Sequence, residues 1–111
     1  MQRVIASVLG RLERQTSKLS GDAADMFGAL VKNRYNMSGI LGDVEPSVQG
    51  DEIEFGDKAL VVKEGSGLLI KHSESSDELM DFVQKVLGDE FDVKETDIDD
   101  ESFDKGITIS P

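Results

Sequence analysis

The chain has 111 residues, no cysteine and a formal net charge of −11, with 23 acidic side chains against 12 basic ones. This length predicts one domain with one modest core, and the missing thiols exclude a disulfide framework, a thiolate zinc site and a cysteine nucleophile. No apolar run approaches the roughly 20 residues of a membrane span, and the negative charge disfavours direct binding of nucleic acid or of anionic membranes. We therefore expect a cytoplasmic protein.

Residues 1–19 are predicted to form a strongly amphipathic helix. With the period of an α-helix, apolar side chains such as Val4, Val8 and Leu12 fall on one side. The opposite side carries four basic residues, which are Arg3, Arg11, Arg14 and Lys18. A second helix is predicted over 22–35, after a break at Ser20-Gly21-Asp22. Residues 1–36 contain six basic residues and three acids, so we predict a basic N-terminal helical arm.

Residues 37–50 contain three glycines and one proline, a composition typical of a connector, and this segment is predicted to join the arm to the rest of the chain. Residues 51–111 are predicted to form an acidic α+β body that belongs to the same folding unit as the arm. Short apolar or alternating segments at 52–55, 59–62 and 68–72, separated by glycine-containing turns, predict a three-stranded antiparallel meander.

A helix is predicted over 76–87, with Ser75 and Glu78 as a capping box and Gly88 as its C-terminal glycine. Alternation over about 91–96, and again at Ile107 and Ile109, predicts two further strands. The resulting order is α-α-β-β-β-α-β-β. It predicts a two-layer α+β domain, with helices covering one face of a mostly antiparallel sheet.

The sequence from Asp89 to Asp104 contains nine acids and one lysine. Acids at alternate positions over 97–104 suggest a loop that binds a divalent cation. An EF-hand loop that began at Asp97 would need glycine at position 102 and glutamate at position 108, where this sequence has Ser102 and Thr108. A solvated loop is the simplest interpretation, in which Asp100→Ala would barely change stability. The third interpretation is a surface for a basic partner, formed by Asp97, Asp99, Asp100, Glu101 and Asp104. In its sharpest form this surface would be a DNA mimic.

The basic face of the N-terminal helix also has several interpretations. The helix could pack on the body, dock in a groove of a partner, or form an oligomer; a helix lying on a membrane surface is disfavoured because the acidic body is repelled by anionic lipid. The lone His72 has no second histidine or cysteine with which to form a zinc site. We therefore predict no catalytic residue, no metal ligand and no cofactor.

These observations favour a non-enzymatic protein-interaction module, acting as a regulator, adaptor, inhibitor or assembly subunit. Its partner is expected to offer a basic surface or a helix-binding groove, or to be a second copy of the chain. The partner-binding residues are expected on the basic helix, at Arg3, Arg11, Arg14 and Lys18, and on the acidic loop. The alternatives are a DNA-mimic inhibitor of a nucleic-acid-binding protein and a divalent-cation-binding protein that uses the 97–104 loop.

Overall fold

A computed structural model describes Leu19 and residues 21–111. The predicted helix over 1–19, with Arg3, Arg11, Arg14 and Lys18, lies outside the described residues apart from Leu19. The described elements, in chain order, are α1 (Gly21–Lys32), α2 (Arg34–Ile40), β1 (Pro46–Gln49), β2 (Glu52–Phe55), β3 (Ala59–Glu64), β4 (Gly67–His72), α3 (Glu78–Leu87), β5 (Asp92–Asp97) and β6 (Lys105–Ser110).

The six strands form one sheet in the order β1-β2-β3-β4-β6-β5. Every neighbouring pair is antiparallel. The first four strands follow one another as hairpins, whereas α3 carries the chain from β4 to the far edge, and β6 then returns between them. Helices and strands are thus mixed along the chain, which confirms the predicted α+β class.

The core lies between the helices and one face of the sheet. Side chains on a strand alternate between its two faces, and the alternate residues Leu68 and Ile70 of β4 are both fully buried. They belong to one apolar cluster with Met26 and Leu30 of α1 and with Val83 of α3. Burying a side chain of this size stabilises the fold by about 1.5–3 kcal/mol, so the apolar stripes of α1 and α3 hold the helix layer on the sheet.

The predicted connector over 37–50 contains two elements that the sequence did not predict. Helix α2 continues to Ile40, after Asn33 has interrupted the single helix predicted over 22–35. Strand β1 then pairs with β2 at the edge of the sheet, so the meander has four strands rather than three. Only Pro46 of β1 is buried, and one buried side chain is too weak a period-2 signal to predict a strand.

The ends of α3 also differ from the prediction. The helix begins at Glu78, and the residue before it, Asp77, makes no side-chain capping bond. The predicted capping box of Ser75 and Glu78 is therefore wrong. Gly88 has φ −68°, in the right-handed region, rather than the left-handed conformation of a C-terminal glycine. A Cβ atom at Gly88 would collide with the carbonyl oxygen of Gln84, which explains glycine there by close approach instead.

Candidate protein-binding face of the sheet

The face of the sheet that points away from the helices is called the open face here. Its positions follow from strand alternation and register, because residues opposite each other on neighbouring strands share a face. From β1 to β5 they are Ser47, Gln49, Glu52, Glu54, Leu60, Val62, Glu64, Gly67, Leu69, Lys71, Gly106, Thr108, Ser110, Asp92, Lys94 and Thr96. The centre of this set is apolar, and its edges are polar and acidic.

The apolar centre is formed by β3 and β4. Leu60 and Val62 of β3 are half-buried, and Leu69 of β4 is buried. These three residues alternate with Val61 and Ile70 of the core, so both faces of these two strands are apolar. The open face of a two-layer domain usually meets water, and half-exposed apolar residues in its centre mark a candidate contact surface.

The β5–β6 loop (residues 98–104) folds over one part of this face. A Cβ atom added to Gly106 would lie 2.9 Å from Cγ2 of Ile98 and 3.0 Å from Cδ1 of Leu69. The absence of a side chain at Gly106 therefore allows Ile98 to pack onto the sheet beside Leu69. Phe103, near the other end of the loop, is also buried, with 9 % of its surface exposed.

Asp100 fixes the loop in this position through two polar contacts. One carboxylate oxygen, Oδ2, lies 3.2 Å from Nζ of Lys71 on the open face. The other, Oδ1, accepts a 2.8 Å hydrogen bond from the backbone N–H of Ser102. The Ser102 bond and then the Lys71 contact lower the pKa of Asp100 below its ordinary value. Asp100 and Phe103 of the loop therefore contact the rest of the domain, whereas Asp99 and Glu101 are exposed.

The charge of the open face is negative and largely uncompensated. Its two lysines are already paired, Lys71 with Asp100 and Lys94 with Asp92 at 3.3 Å. Among the described residues no ion pair engages the exposed acids of β2 and β3, which are Glu52, Glu54 and Glu64. Glu54 accepts a long hydrogen bond, 3.4 Å, from the side-chain amide of Gln49. A basic partner could therefore approach these carboxylates without displacing a lysine.

Two shallow pockets join the apolar centre to the acidic edges. The first, of about 210 Å³, is lined by Glu54, Gly56, Asp57, Leu60, Ser102 and Phe103. The second, of about 300 Å³, is lined by Glu64, Leu69, Thr96, Ile98 and Thr108. Both linings combine apolar side chains with at least one carboxylate. A larger groove of about 560 Å³ lies on the helix side, where it is lined by Asn33, Asn36, Ile40, Phe82, Lys85 and Val86.

The acids that the sequence singled out are only partly brought together. Asp99, Asp100, Glu101 and Asp104 lie on the β5–β6 loop, whereas Asp97 is the last residue of β5. Of the five, only Asp100 forms a side-chain ion pair among the described residues. The described part of the chain contains no group of three or more histidine, cysteine, aspartate or glutamate side chains arranged to hold a metal ion.

Sequence reasoning missed the apolar part of this surface and the acids of β2. A signal for both existed. The continuous apolar run at 59–62 is typical of a strand that is buried on both faces, and the alternation Glu52-Ile53-Glu54 places two glutamates on one face.

His72 occupies the opposite side of the sheet. Its ring is 3 % exposed, and Nδ1 accepts a 3.0 Å hydrogen bond from the backbone N–H of Glu74. Nε2 is buried without a hydrogen-bond partner among the described residues. Burial and then the charge of Lys105 lower the pKa of His72, opposed by Glu74, Glu95 and Asp104. The imidazole is therefore a neutral, buried side chain on the last residue of β4.

The fold and this surface define a two-layer α+β domain with an acidic, partly apolar open sheet face. No helix in the described part of the chain is long and apolar enough to cross a membrane. Comparison with protein-family models, with curated proteins and with solved structures finds no match to this chain.

Proposed function

We propose that this chain is a non-enzymatic protein-interaction module that binds a basic, amphipathic segment of a partner on the open face of its sheet. The observation that carries this proposal is the half-buried apolar pair Leu60 and Val62 beside the exposed carboxylates Glu52, Glu54 and Glu64, none of which has a cation partner among the described residues. A regulator, adaptor, inhibitor or assembly subunit would act through such a surface.

The two parts of the surface contribute different terms to binding. Covering Leu60 and Val62 removes apolar area from water and supplies affinity. The carboxylates attract and orient a cationic partner, which speeds association and selects against acidic partners. A helix with an apolar stripe flanked by lysine or arginine offers both features in one element. Because the carboxylates are exposed, salt should weaken the contact.

The proposal can be tested with a synthetic amphipathic helix as the probe. A peptide of about 18 leucine and lysine residues, patterned to place leucine on one face, is titrated into isotope-labelled protein and followed by NMR. We expect shift changes at the amides of Leu60, Val62 and Thr96 that shrink between about 50 mM and about 500 mM salt. A leucine–glutamate peptide of the same pattern should leave these amides unchanged.

Charge-reversed variants locate the contact on the molecule. The double variant Glu52→Lys/Glu54→Lys should bind the basic peptide at least about tenfold more weakly, because two attractive charges become repulsive. Its matched control is Glu78→Lys/Asp81→Lys, which reverses two exposed acids on α3, on the opposite side of the sheet. Equal weakening by both double variants would mean that the peptide responds to net charge alone, and the proposal would be rejected.

The DNA-mimic and cation-binding alternatives stay predictions from the sequence, as does a cytoplasmic location. A DNA mimic needs acids at regular spacing on a rigid frame. The apolar side chains of Leu60 and Leu69 would contribute nothing to such mimicry. Competition with duplex DNA for a basic DNA-binding protein would test the mimic. A melting temperature that rises with micromolar Ca²⁺ or Mg²⁺ would test the cation site.

A further inference from the structure

We infer that the segment bound on the open face is residues 1–18 of a second copy of this chain, an inference that rests on the proposed function. The sequence of this segment offers what the open face would recognise. It predicts a helix with an apolar stripe that includes Val4, Val8 and Leu12. Its other side carries Arg3, Arg11, Arg14 and Lys18, and the segment contains one acid, Glu13.

The size of the segment matches the width of the sheet. A helix of 18 residues is about 27 Å long at a rise of about 1.5 Å per residue. Six strands spaced by about 4.8 Å span about 24 Å. A single helix laid across the strands would therefore cover the apolar centre at Val62 and Leu69. Arg11 and Lys18, which border the apolar stripe at the helical period, would be the basic side chains that reach the acidic edge on β2.

The connection at Leu19 explains why a second copy is needed. Leu19 packs against the apolar cluster on the helix side of the sheet, and α1 follows it on that same side, against β4. Leu19 therefore lies on the side opposite to the open face. A continuous helix that ends there cannot also lie on the open face of its own sheet, which is screened from it by the full thickness of the strands and the helix layer. The open face of another copy has no such restriction.

The larger groove between α2 and α3 is the competing site, since it lies on the side where Leu19 packs. Its lining includes Ile40, Phe82 and Val86, and the only charged side chain that the described residues contribute to it is the basic Lys85. That charge repels the basic residues of the segment. The carboxylates of β2 and β3 attract the same residues, so charge complementarity favours the open face.

Binding of this kind is heterologous, because a segment of one molecule contacts a different surface of the next. After two molecules bind, the pair still has one unbound segment and one unbound sheet face, so the contact propagates as a head-to-tail chain or closes into a ring. Because the attraction is between exposed charges, the assembly should dissociate as ionic strength rises.

Complementation between two charge-neutralised variants of the full chain tests this inference. One variant carries Arg3→Gln/Arg11→Gln/Arg14→Gln and keeps the acidic sheet; the other carries Glu52→Gln/Glu54→Gln and keeps the basic segment. We expect the unmodified chain to exceed its monomer mass of 12.1 kDa in sedimentation at low salt, and each variant alone to be a monomer. An equimolar mixture should give one species of twice the monomer mass and nothing larger, since only one complementary pair of surfaces is present.

Other outcomes overturn the inference in recognisable ways. If the mixture stays monomeric, residues 1–18 do not bind the open face of a second copy. If the sheet variant alone remains a dimer, the segments pair with each other instead. In both cases the leucine–lysine peptide decides the proposed function separately: binding at Leu60 and Val62 keeps the open face as an interaction site for another partner, whereas no binding there removes the proposed function as well.

Discussion

The helix side and the open face of this sheet are built from alternate residues of the same strands, yet they differ in charge. The helix side buries apolar and neutral groups, whereas the open face carries exposed carboxylates. On the helix side, Val61, Ile70 and Ile107 are fully buried, and the ionisable ring of His72 is kept neutral. On the open face, Leu60 and Val62 are only half-buried and lie beside exposed carboxylates. The apolar residues on the two faces of β3 therefore differ in role. Val61 holds the fold together, whereas Leu60 and Val62 are the residues that we propose a partner covers.

The largest expected difference between the two faces comes from one substitution made at adjacent residues. Val61→Asp places a carboxylate in the core and should cost at least about 3–5 kcal/mol of unfolding free energy, which is enough to unfold a marginally stable domain. Val62→Asp places the same group on the open face and should cost about 1 kcal/mol or less. Urea unfolding followed by circular dichroism measures both. Similar losses for the two variants would mean that the open face is a second core.

A smaller effect is expected where the loop crosses the open face. Gly106→Ala would bring a methyl group within about 3 Å of Ile98, Leu69 and Thr96 and should cost about 1–3 kcal/mol through overpacking. The double variant Gly106→Ala/Ile98→Ala relieves part of the crowding, so its stability should recover relative to Gly106→Ala. Additive losses in that double-mutant cycle would show that Ile98 does not pack over Gly106.

The same contrast explains how much of the structure the sequence could predict. The core of α3 was predictable because Leu79 and Val83 repeat with the helical period, and buried strands show as apolar runs. Strand β1 was not, because its pairing depends on β2 and on the turn at Gly50, whose φ of 62° becomes evident only in the fold. Within the described residues, most of the sheet and the helix α3 thus follow from local patterns, whereas α2 and β1 do not.

The candidate site was harder to predict than the fold. The sequence marked Asp97 to Asp104 by charge alone, but charge does not reveal that Asp100 contacts Lys71, 29 residues earlier. Nor does it show that Ile98 crosses the sheet to reach Leu69. Contacts between distant segments depend on strand order, which places β5 next to β6 rather than next to β4. The acidic residues were therefore visible in the sequence, whereas the surface they belong to was not.

The ionisable groups of the two faces provide a third comparison, through pH. Because the pKa of His72 is lowered in the folded state, the unfolded chain takes up a proton first as pH falls below about 6.5. The contribution of neutral His72 to the free energy of unfolding is thus complete above that pH. Below it, this contribution declines by up to about 1.4 kcal/mol per pH unit. Protonation also removes Nδ1 as an acceptor for Glu74. Melting temperatures from about pH 8 to about pH 5 should fall, and His72→Gln should flatten that dependence. A native protein whose melting temperature is constant over this range would show that His72 titrates normally.

The smallest effect is expected at Asp100, on the open face. Its pKa is lowered in the folded state, so its contribution to stability is present above the ordinary value of about 3.8 and is lost as pH falls through the lower folded value. Asp100→Asn keeps an oxygen for the Ser102 N–H but removes the ion pair with Lys71. We expect a small loss of stability at neutral pH and faster hydrogen exchange at Ser102 and Phe103, with no change in the core strands.

Asp99→Asn, at an exposed neighbour, is the matched control and should alter neither quantity. Equal exchange rates in the two variants would show that Lys71 does not hold the loop on the sheet, and the open face would then extend beneath it.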